Sequence, residues 1–371
     1  MKYELFKILP AIRMLASREN LVLAKAFPGD IDSADKIPAA GIHPGIEGIL
    51  EIHPEETDIL TLRKQFKEWF GIHDSPPSFV AINGLGYIAV SIPLDNDLLL
   101  SGKICVVTGA GQGFGAGIAE MLFEKGATII IADINEIVGK QMEDSLNNKG
   151  MENEALFIKT DVSNPESVEE MVKKAVFQFG GLDIMISNAG ILRAGGLEEM
   201  NADTFRLMTE VNYGAFFHCA KYASQIMKIQ TVAAPDSFCD ILQINSKSGL
   251  QGSRNNFAYA GGKFGGVGLA QSFALELMPF HIKVNAICPG NFFEGPLWSD
   301  PDNGLFVQYL KAGKVSGAKT VGDVKEYYES QVPAGRGCQV ADVVKAILYA
   351  IDQEYETGQA IPVTGGQVML H

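Results

Sequence analysis

Positive charge is scarce in this chain. Thirty Lys and Arg face 44 Asp and Glu, a formal charge of −14 over 371 residues. That balance argues against nucleic acid and anionic membrane surfaces as partners, and an anionic small molecule would have to be attracted locally. Long apolar runs are missing too: no stretch approaches the roughly 18 residues of a membrane span. The apolar start Met1–Ala16 is interrupted by Lys7, Pro10 and Arg13, with no small-residue cleavage site after it. It reads as an amphipathic helix rather than a signal peptide, so a soluble, cytoplasmic protein is expected. The five cysteines (Cys105, Cys219, Cys239, Cys288, Cys338) form no Cys-x-x-Cys pair. An odd set of this kind suits free thiols in a reducing compartment, most of them buried as small hydrophobes. Histidine is also sparse. His43, His53 and His73, even with Glu47 and Glu51, match no zinc spacing, and no metal is expected.

What is present is ordinary globular material, 47% hydrophobic and 20% charged, with ample core for one large domain or two. From residue 101 onward, short apolar runs alternate with helical patterns. Strands are predicted near 103–108, 128–132, 155–160, 182–187, 240–245, 282–287 and 359–363. This alternation predicts an α/β, doubly wound parallel sheet of Rossmann type, preceded by a small α+β N-terminal segment.

Two glycine-rich places carry chemistry. Lys103-Ile-Cys-Val-Val-Thr108 runs into Gly109-Ala-Gly111-Gln112-Gly113-Phe114-Gly115 and then a helix, the context a dinucleotide fingerprint requires. Glycines let the backbone approach a pyrophosphate, and the helix amino terminus offers free N–H groups. The next strand ends in Asp133, with Ile134 and Asn135 behind it. A carboxylate there can accept the adenosine ribose hydroxyls and would repel a 2′-phosphate, which favours NAD over NADP. Further on, Tyr259 and Lys263 lie four apart on a helix predicted from Asn256 to about Leu277, and so share a face. A free phenol has a pKa of about 10. A neighbouring ammonium, helped by an oxidised nicotinamide, is expected to favour the phenolate and make Tyr259 a general acid/base. Ser246 follows the apolar run Ile241–Ile244, at the carboxyl end of a strand, where its hydroxyl can meet a substrate oxygen.

Together these residues resemble the short-chain dehydrogenase/reductase family over about residues 99–371. The cofactor loop is Thr108, Gly109, Gln112, Gly113, Phe114 and Gly115. Asp161-Val162 matches the adenine contact, Asn188-Ala189-Gly190 the central-strand motif, and Asn212, Ser246, Tyr259 and Lys263 the catalytic tetrad. The resemblance implies that Asn212 holds a water linking Lys263 to solvent, that Lys263 also binds the nicotinamide ribose, and that Pro289-Gly290 lies beside the nicotinamide. The threonine often found after that Pro-Gly is absent. The chain reads Asn291-Phe-Phe-Glu-Gly-Pro-Leu297, which leaves the carboxamide anchor unassigned.

Narrower motifs are similar to the sorbitol-6-phosphate 2-dehydrogenases: Asn245-Ser-Lys-Ser-Gly249, Arg336-Gly-Cys338 and the ending Gly365-Gly-Gln-Val-Met369. That similarity implies a phosphorylated hexitol or other small polyol as substrate, with Ser246, Lys247, Tyr259 and Asn291 as contacts and Lys247, Arg254, Lys311 and Lys314 as candidate phosphate partners. A dehydrogenase for another polyol, sugar phosphate or hydroxyaldehyde is the alternative, and a cofactor-binding regulatory module a distant one. The resemblance also implies a homo-oligomer, a tetramer packed through helices around 201–229 and 257–277, and a lid over the substrate at about 291–336. A structureless loop of that length would be unusual, so helices are expected within the lid.

Residues 1–98 stand outside the resemblance. They read as a leading helix, a Pro- and Gly-rich loop, a helix Thr57–Phe70, and strands Ser78–Ile82 and Tyr87–Ile92 joined by an Asn83-Gly-Leu-Gly86 turn. They resemble the closing part of a class II aldolase-type domain and are expected to be an accessory remnant kept for packing.

Overall fold

The computed structural model describes residues 2–17, 20–28, 48–93, 97–311 and 313–369. His43 and Glu47 lie outside the described residues. Among the described ones, no group of three or more His, Cys, Asp or Glu could hold a metal. No helix among them is long and apolar enough to cross a membrane.

The N-terminal segment begins with helix α1 (Lys2–Ala16) and strand β1 (Leu23–Pro28). It continues through β2 (Ile49–Ile52), α2 (Ile59–Phe70), β3 (Phe79–Ile82) and β4 (Gly86–Ser91). Its sheet has the order β1-β4-β3-β2, with β1 antiparallel to β4 and β2 parallel to β3. The β3–β4 hairpin is there as its turn residues predict, with Gly84 at φ +74° and the Leu85 amide bonded to Ile82. Strands β1 and β2 are a correction, because this stretch reads as loop. Each is short, and each is held by a partner distant in sequence.

The large unit follows as β5 (Ile104–Thr108), α3 (Gly113–Phe123), β6 (Thr128–Asp133), α4 (Glu136–Asn147), β7 (Ala155–Lys159), α5 (Pro165–Phe179) and β8 (Ile184–Ser187). Then come α6 (Ala202–Thr209), α7 (Ala215–Ala233), β9 (Cys239–Ile244), α8 (Phe257–Leu277) and β10 (Ile282–Pro289). The chain closes with the short helices α9 (Pro296–Ser299), α10 (Leu305–Lys311) and α11 (Val321–Ser330), then α12 (Val340–Asp352) and β11 (Ala360–Val363). All seven strands are parallel, in the order β11-β10-β9-β8-β5-β6-β7. β5, β6, β8, β9 and β10 are buried throughout; β5, β6 and β8 appear in sequence as near-continuous apolar runs rather than alternations, while β9 and β10 also bury Asp240, Gln243, Lys283 and Asn285. The strand order reverses between β5 and β8, so a crevice opens at their carboxyl ends. Edge strand β7 is blunted by α4: Asn147 and Glu143 accept from the Ala155 and Phe157 amides at 2.8 and 2.9 Å.

A boundary at residue 98 does not separate two cores. Leu5, Leu9 and Ile12 of α1 are fully buried and belong to one cluster with Val172 and Val176 of α5 and Ala223 and Ile226 of α7. At its centre is Arg13, itself 0% exposed. Its guanidinium grips Asp183 through two bonds of 3.0 and 2.8 Å and donates to the Val22 and Gly102 carbonyls at 2.7 and 2.8 Å. Burial pushes the Asp183 carboxyl up, but Arg13, Lys103 and the Ile104 amide outweigh it and hold the group below its usual range. Asp183 sits just before β8 and Gly102 just before β5, so the segment docks at the amino-terminal ends of the central strands.

Among its described residues the segment expected as a lid holds three helices around a small core of its own: Phe293, Trp298, Phe306, Val324 and Val332. Trp298 makes edge contacts with Phe293, Tyr309 and Tyr328 at centroid distances of 4.9, 5.9 and 5.2 Å.

Candidate active site

The cofactor loop is shaped by steric demands that only glycine meets. Gly109 has φ +65°, and a Cβ on Gly115 would lie 2.1 Å from the Gly109 carbonyl oxygen. Gly113 also has positive φ, at +61°, yet nothing lies within 4 Å of where its Cβ would be. Open space therefore meets the first turn of α3, whose N-cap Gln112 makes no side-chain cap. Those are the conditions for a phosphate group: free N–H donors, a helix dipole and room for close approach. Thr108 is fully buried, and its hydroxyl accepts from the Asn188 and Ala189 amides at 2.9 and 3.0 Å. Asn188 returns a bond from Nδ2 to the Thr108 carbonyl at 2.8 Å, which ties the glycine loop to the end of β8.

Asp133 stands at the end of β6, with its carboxylate accepting from Gly111 and Asn135 amides at 2.8 and 2.9 Å. Its orientation is thereby fixed toward the loop. Asp161 and Val162 follow β7 on the same edge: Asp161 accepts from Ser163, and the Val162 carbonyl meets His218 Nδ1 at 3.1 Å. Pro289 ends β10, and Gly290 donates to Val363 at 2.9 Å. Glycine loop, Asp133, Asp161 and Pro289-Gly290 thus line the carboxyl edge of the sheet, and this set fits a dinucleotide.

The four polar side chains expected to act on substrate converge next to it. Asn212 lies in a π-helical turn, Glu210–Gly214, between α6 and α7, a local widening frequent at functional sites. It is 2% exposed and clasps Ile191 both ways, Oδ1 accepting at 3.1 Å and Nδ2 donating at 2.9 Å. A Cβ placed on Gly190 would find Asn212 Oδ1 at 3.0 Å and Lys263 Nζ at 3.8 Å, so these two groups face each other across Gly190. Lys263 donates to the Ile244 carbonyl at 2.9 Å and lies 5.6 Å from the centre of the Tyr259 ring. Burial pulls its ammonium down to about 8.

For Tyr259 the direction differs from the sequence expectation. Burial pushes the phenol up, and its interaction with the Ser246 hydroxyl offsets only part of this. The reason is that a phenolate here loses its water, while the ammonium meant to favour it is itself desolvated and bonded to a carbonyl. A positively charged ring beside the phenol would act against that burial.

Three contributors have roles beyond those the sequence assigns them. Asn245 is 4% exposed; it accepts from the Ser246 amide at 2.8 Å and donates to the Lys263 carbonyl at 2.9 Å, which sets the two catalytic candidates in register. Its place before Ser246 was the available signal. Phe292 stacks on Phe114 at 4.2 Å and 16°, joining the segment after β10 to the glycine loop. Cys288 is a buried thiol against Ser246 and Lys263, pushed by burial up to about 12 and so neutral.

Of the substrate candidates, Lys247 is half-buried beside Ser246, with no ion-pair partner among the described residues. Asn291 is partly buried, and its carbonyl accepts from Cys338 at 2.8 Å. Lys314 instead lies over the Tyr309 ring at 4.1 Å, and Arg254 and Lys311 are exposed.

Residues 103–297 match the family described as short chain dehydrogenase. The chain belongs to that family. It is 34% identical over 270 residues to the sorbitol-6-phosphate 2-dehydrogenase of Escherichia coli K12, a match covering 72% of this chain and 99% of that one. The diacetyl reductase ((S)-acetoin forming) of Staphylococcus epidermidis ATCC 12228 is 31% identical, over 72% and 98% of the two chains. Among solved structures, the sorbitol-6-phosphate 2-dehydrogenase of Erwinia amylovora superposes with TM-score 0.65 at 35% identity, covering 72% of this chain and all of that one. The chain is therefore an oxidoreductase of a nicotinamide-using family that acts on CH–OH groups.

Proposed function

We propose that this short-chain dehydrogenase interconverts sorbitol 6-phosphate and fructose 6-phosphate, using NAD. Lys247 carries the substrate reading. It is a half-buried ammonium with no counter-ion among the described residues, next to the catalytic serine, in a chain of net charge −14. Burying a charge without a partner is costly, and a phosphate dianion would supply that partner. The similarity to the two sorbitol-6-phosphate 2-dehydrogenases supports the same substrate.

In the oxidative direction NAD, held by the glycine loop, Asp133 and Pro289-Gly290, would supply the hydride acceptor for C2. Tyr259 takes the hydroxyl proton, Ser246 donates to the developing carbonyl oxygen, and Lys263 keeps positive charge beside the phenolate. Asn212 holds the backbone at Ile191 so that Lys263 stays within reach of water. NAD is the assigned cofactor because Asp133 presents a fixed carboxylate where NADP would bring a phosphate, and neither exposed Ile134 nor Asn135 behind it supplies a cation. Residues 1–98 serve packing, since Arg13 and its partners lie at the opposite end of the central strands from Tyr259. Exposed Phe205, Phe217 and Phe264 on α6, α7 and α8 support association of copies through those helices.

The varied dehydrogenases among the relatives favour one other reading, oxidation of a different polyol or hydroxyketone. NADH absorbance with sorbitol 6-phosphate, free sorbitol, other hexitol phosphates and acetoin separates the two. Preference for any unphosphorylated substrate overturns the phosphate assignment.

A further inference from the structure

Strand β9, the turn that carries Ser246, and helix α8 meet on two buried amide side chains. Gln243 lies within β9 and is 2% exposed; Asn245 follows the strand and is 4% exposed. Asn245 donates from Nδ2 to Gln243 Oε1 at 2.7 Å and to the Lys263 carbonyl at 2.9 Å, while its Oδ1 accepts from the Ser246 amide at 2.8 Å. Its own backbone amide is tied to the Ile287 carbonyl of β10 at 2.7 Å. Both protons and the oxygen of the side chain are thus engaged. The Ser246 amide can only donate and the Lys263 carbonyl can only accept, so the plane and direction of the Asn245 amide are fixed.

Glycines bring the other two elements down onto this pair. A Cβ on Gly266 of α8 would lie 2.3 Å from Gln243 Oε1 and 2.5 Å from its Nε2. A Cβ on Gly249, in the short 3-10 turn Lys247–Gly249, would lie 2.1 Å from Asn245 Oδ1 and 3.0 Å from the Lys263 carbonyl. Helix α8 therefore rests on Gln243 at Gly266 and on Asn245 at Lys263, with Tyr259 one turn further toward its start. Within the serine turn, Ser246 Oγ accepts from the Ser248 amide at 3.1 Å, which leaves the hydroxyl proton for the phenol or a substrate oxygen.

We infer that Gln243 and Asn245 are positioning residues for the proton transfer, two packed amides that set the spacing between the Ser246 hydroxyl and the Tyr259–Lys263 face of α8. Gln243 acts only through Asn245 and Gly266. The glycine loop and Asp133 stand on other strands, so the pair governs the chemical step and not cofactor binding. A displacement of about 1 Å at a reacting group can cost about a hundredfold in rate, which gives the clamp its leverage. The inference rests on Tyr259 and Ser246 as the reacting pair, and on no particular substrate.

Three variants test it: Gln243→Met removes the acceptor at similar length, Gln243→Glu keeps it, and Asn245→Ala removes the centre of the clamp. Each is compared with wild type in melting temperature, NADH affinity, amide hydrogen exchange, and kcat and KM against pH, on whichever of sorbitol 6-phosphate, free sorbitol and acetoin wild type uses fastest. In Gln243→Met and Asn245→Ala, KM and NADH affinity should stay within about twofold while kcat falls roughly five- to a hundredfold, a loss confined to the transition state. The rising limb of oxidative kcat should move to higher pH, because the Ser246 contact that lowers the phenol is no longer held and the phenolate is the base. Gln243→Glu should melt below Gln243→Met, since it buries a carboxyl, yet turn over faster. Exchange should quicken at 246–250 and in the first turns of α8 but not in the glycine loop. Activity that simply follows melting temperature, with an unmoved pH limb, overturns the inference as a structural role, and so does kcat within about twofold of wild type in both Gln243→Met and Asn245→Ala. Unchanged exchange at 246–263 overturns it whatever the activity. Wild type inactive on all three substrates defeats the proposed function instead, and exchange, which needs no substrate, then decides the clamp.

Discussion

Arg13→Met asks how far the first hundred residues are part of the enzyme. The substitution leaves the apolar stem of the side chain and removes the guanidinium. Asp183 would then be a carboxylate 2% exposed, with only the Ile104 amide at 2.7 Å and Gln230 Nε2 at 3.0 Å to hold it, and the Val22 and Gly102 carbonyls would lose their donor. Breaking one side of a buried ion pair costs about 3–5 kcal/mol, chiefly because the remaining charge is stranded. At about 2 °C per kcal/mol for a chain of this size, the melting temperature should drop by roughly 6–10 °C. The pH dependence sharpens the test. In the wild type the Asp183 pKa is depressed, so its stabilising contribution is present above the unfolded carboxyl value and is lost as pH falls through the lower folded one. Without Arg13 burial dominates and that pKa rises. The deficit should therefore be greatest near neutrality and shrink as acid protonates the stranded group. On an Asp183→Asn background the same change should cost at least about 1.5 kcal/mol less, a coupling typical of a shared ion pair. Thermal melts of the four proteins between pH 5 and 7.5 are sufficient. A drop below about 2 °C, or a deficit that ignores pH, refutes the view that Arg13 anchors the segment to the dehydrogenase core.

Three further outcomes concern the site. Tyr259→Phe should bind NADH nearly as wild type does, measured by fluorescence, while kcat falls at least about a hundredfold, the low end for a general acid/base; turnover above a tenth of wild type removes Tyr259 from the mechanism. Replacing Asp133 by serine and Ile134 by arginine should move the kcat/KM ratio toward NADP, since Ile134 is 62% exposed and an arginine there can reach a phosphate; a wild type already faster with NADP contradicts the reading of Asp133. Lys247→Ala should lower kcat/KM for sorbitol 6-phosphate by roughly ten- to a hundredfold with little effect on free sorbitol. Burial holds the Lys247 ammonium below the usual lysine range, so the wild-type advantage should fade as pH rises through that lowered value, and equal losses on both substrates would defeat the phosphate role.

The dehydrogenase half was legible because its meaning is local. β5, β6 and β8 are near-continuous apolar runs, and Gly115 is demanded by the Gly109 carbonyl a few residues back. Tyr259 and Lys263 share a face by helical geometry alone. What could not be read depends on groups far apart in the chain. The phenol of Tyr259 has a neighbouring ammonium, as its spacing implies, but the depth of burial that reverses the expected shift is set by the whole fold. Asn245 and Phe292 act through partners across the sheet and the lid, and neither belongs to a periodic pattern.

The N-terminal hundred residues make the same point from the other side. Arg13 breaks an apolar run and so reads as a residue that keeps a surface helix in water. In the fold it is the most deeply buried charge of that helix, because Asp183, 170 residues away, offers a fork for both its nitrogens. A cation flanked by Leu9, Ala11, Ile12 and Met14 has two destinations, solvent or a buried acid, and local pattern cannot choose between them. The choice is made by an aspartate at the foot of a central strand, where a carboxylate facing the sheet interior already calls for a cation. Read together, the two residues would have placed the first helix against the dehydrogenase core, and the general lesson is that a buried acid without a nearby base is a search instruction for the rest of the chain.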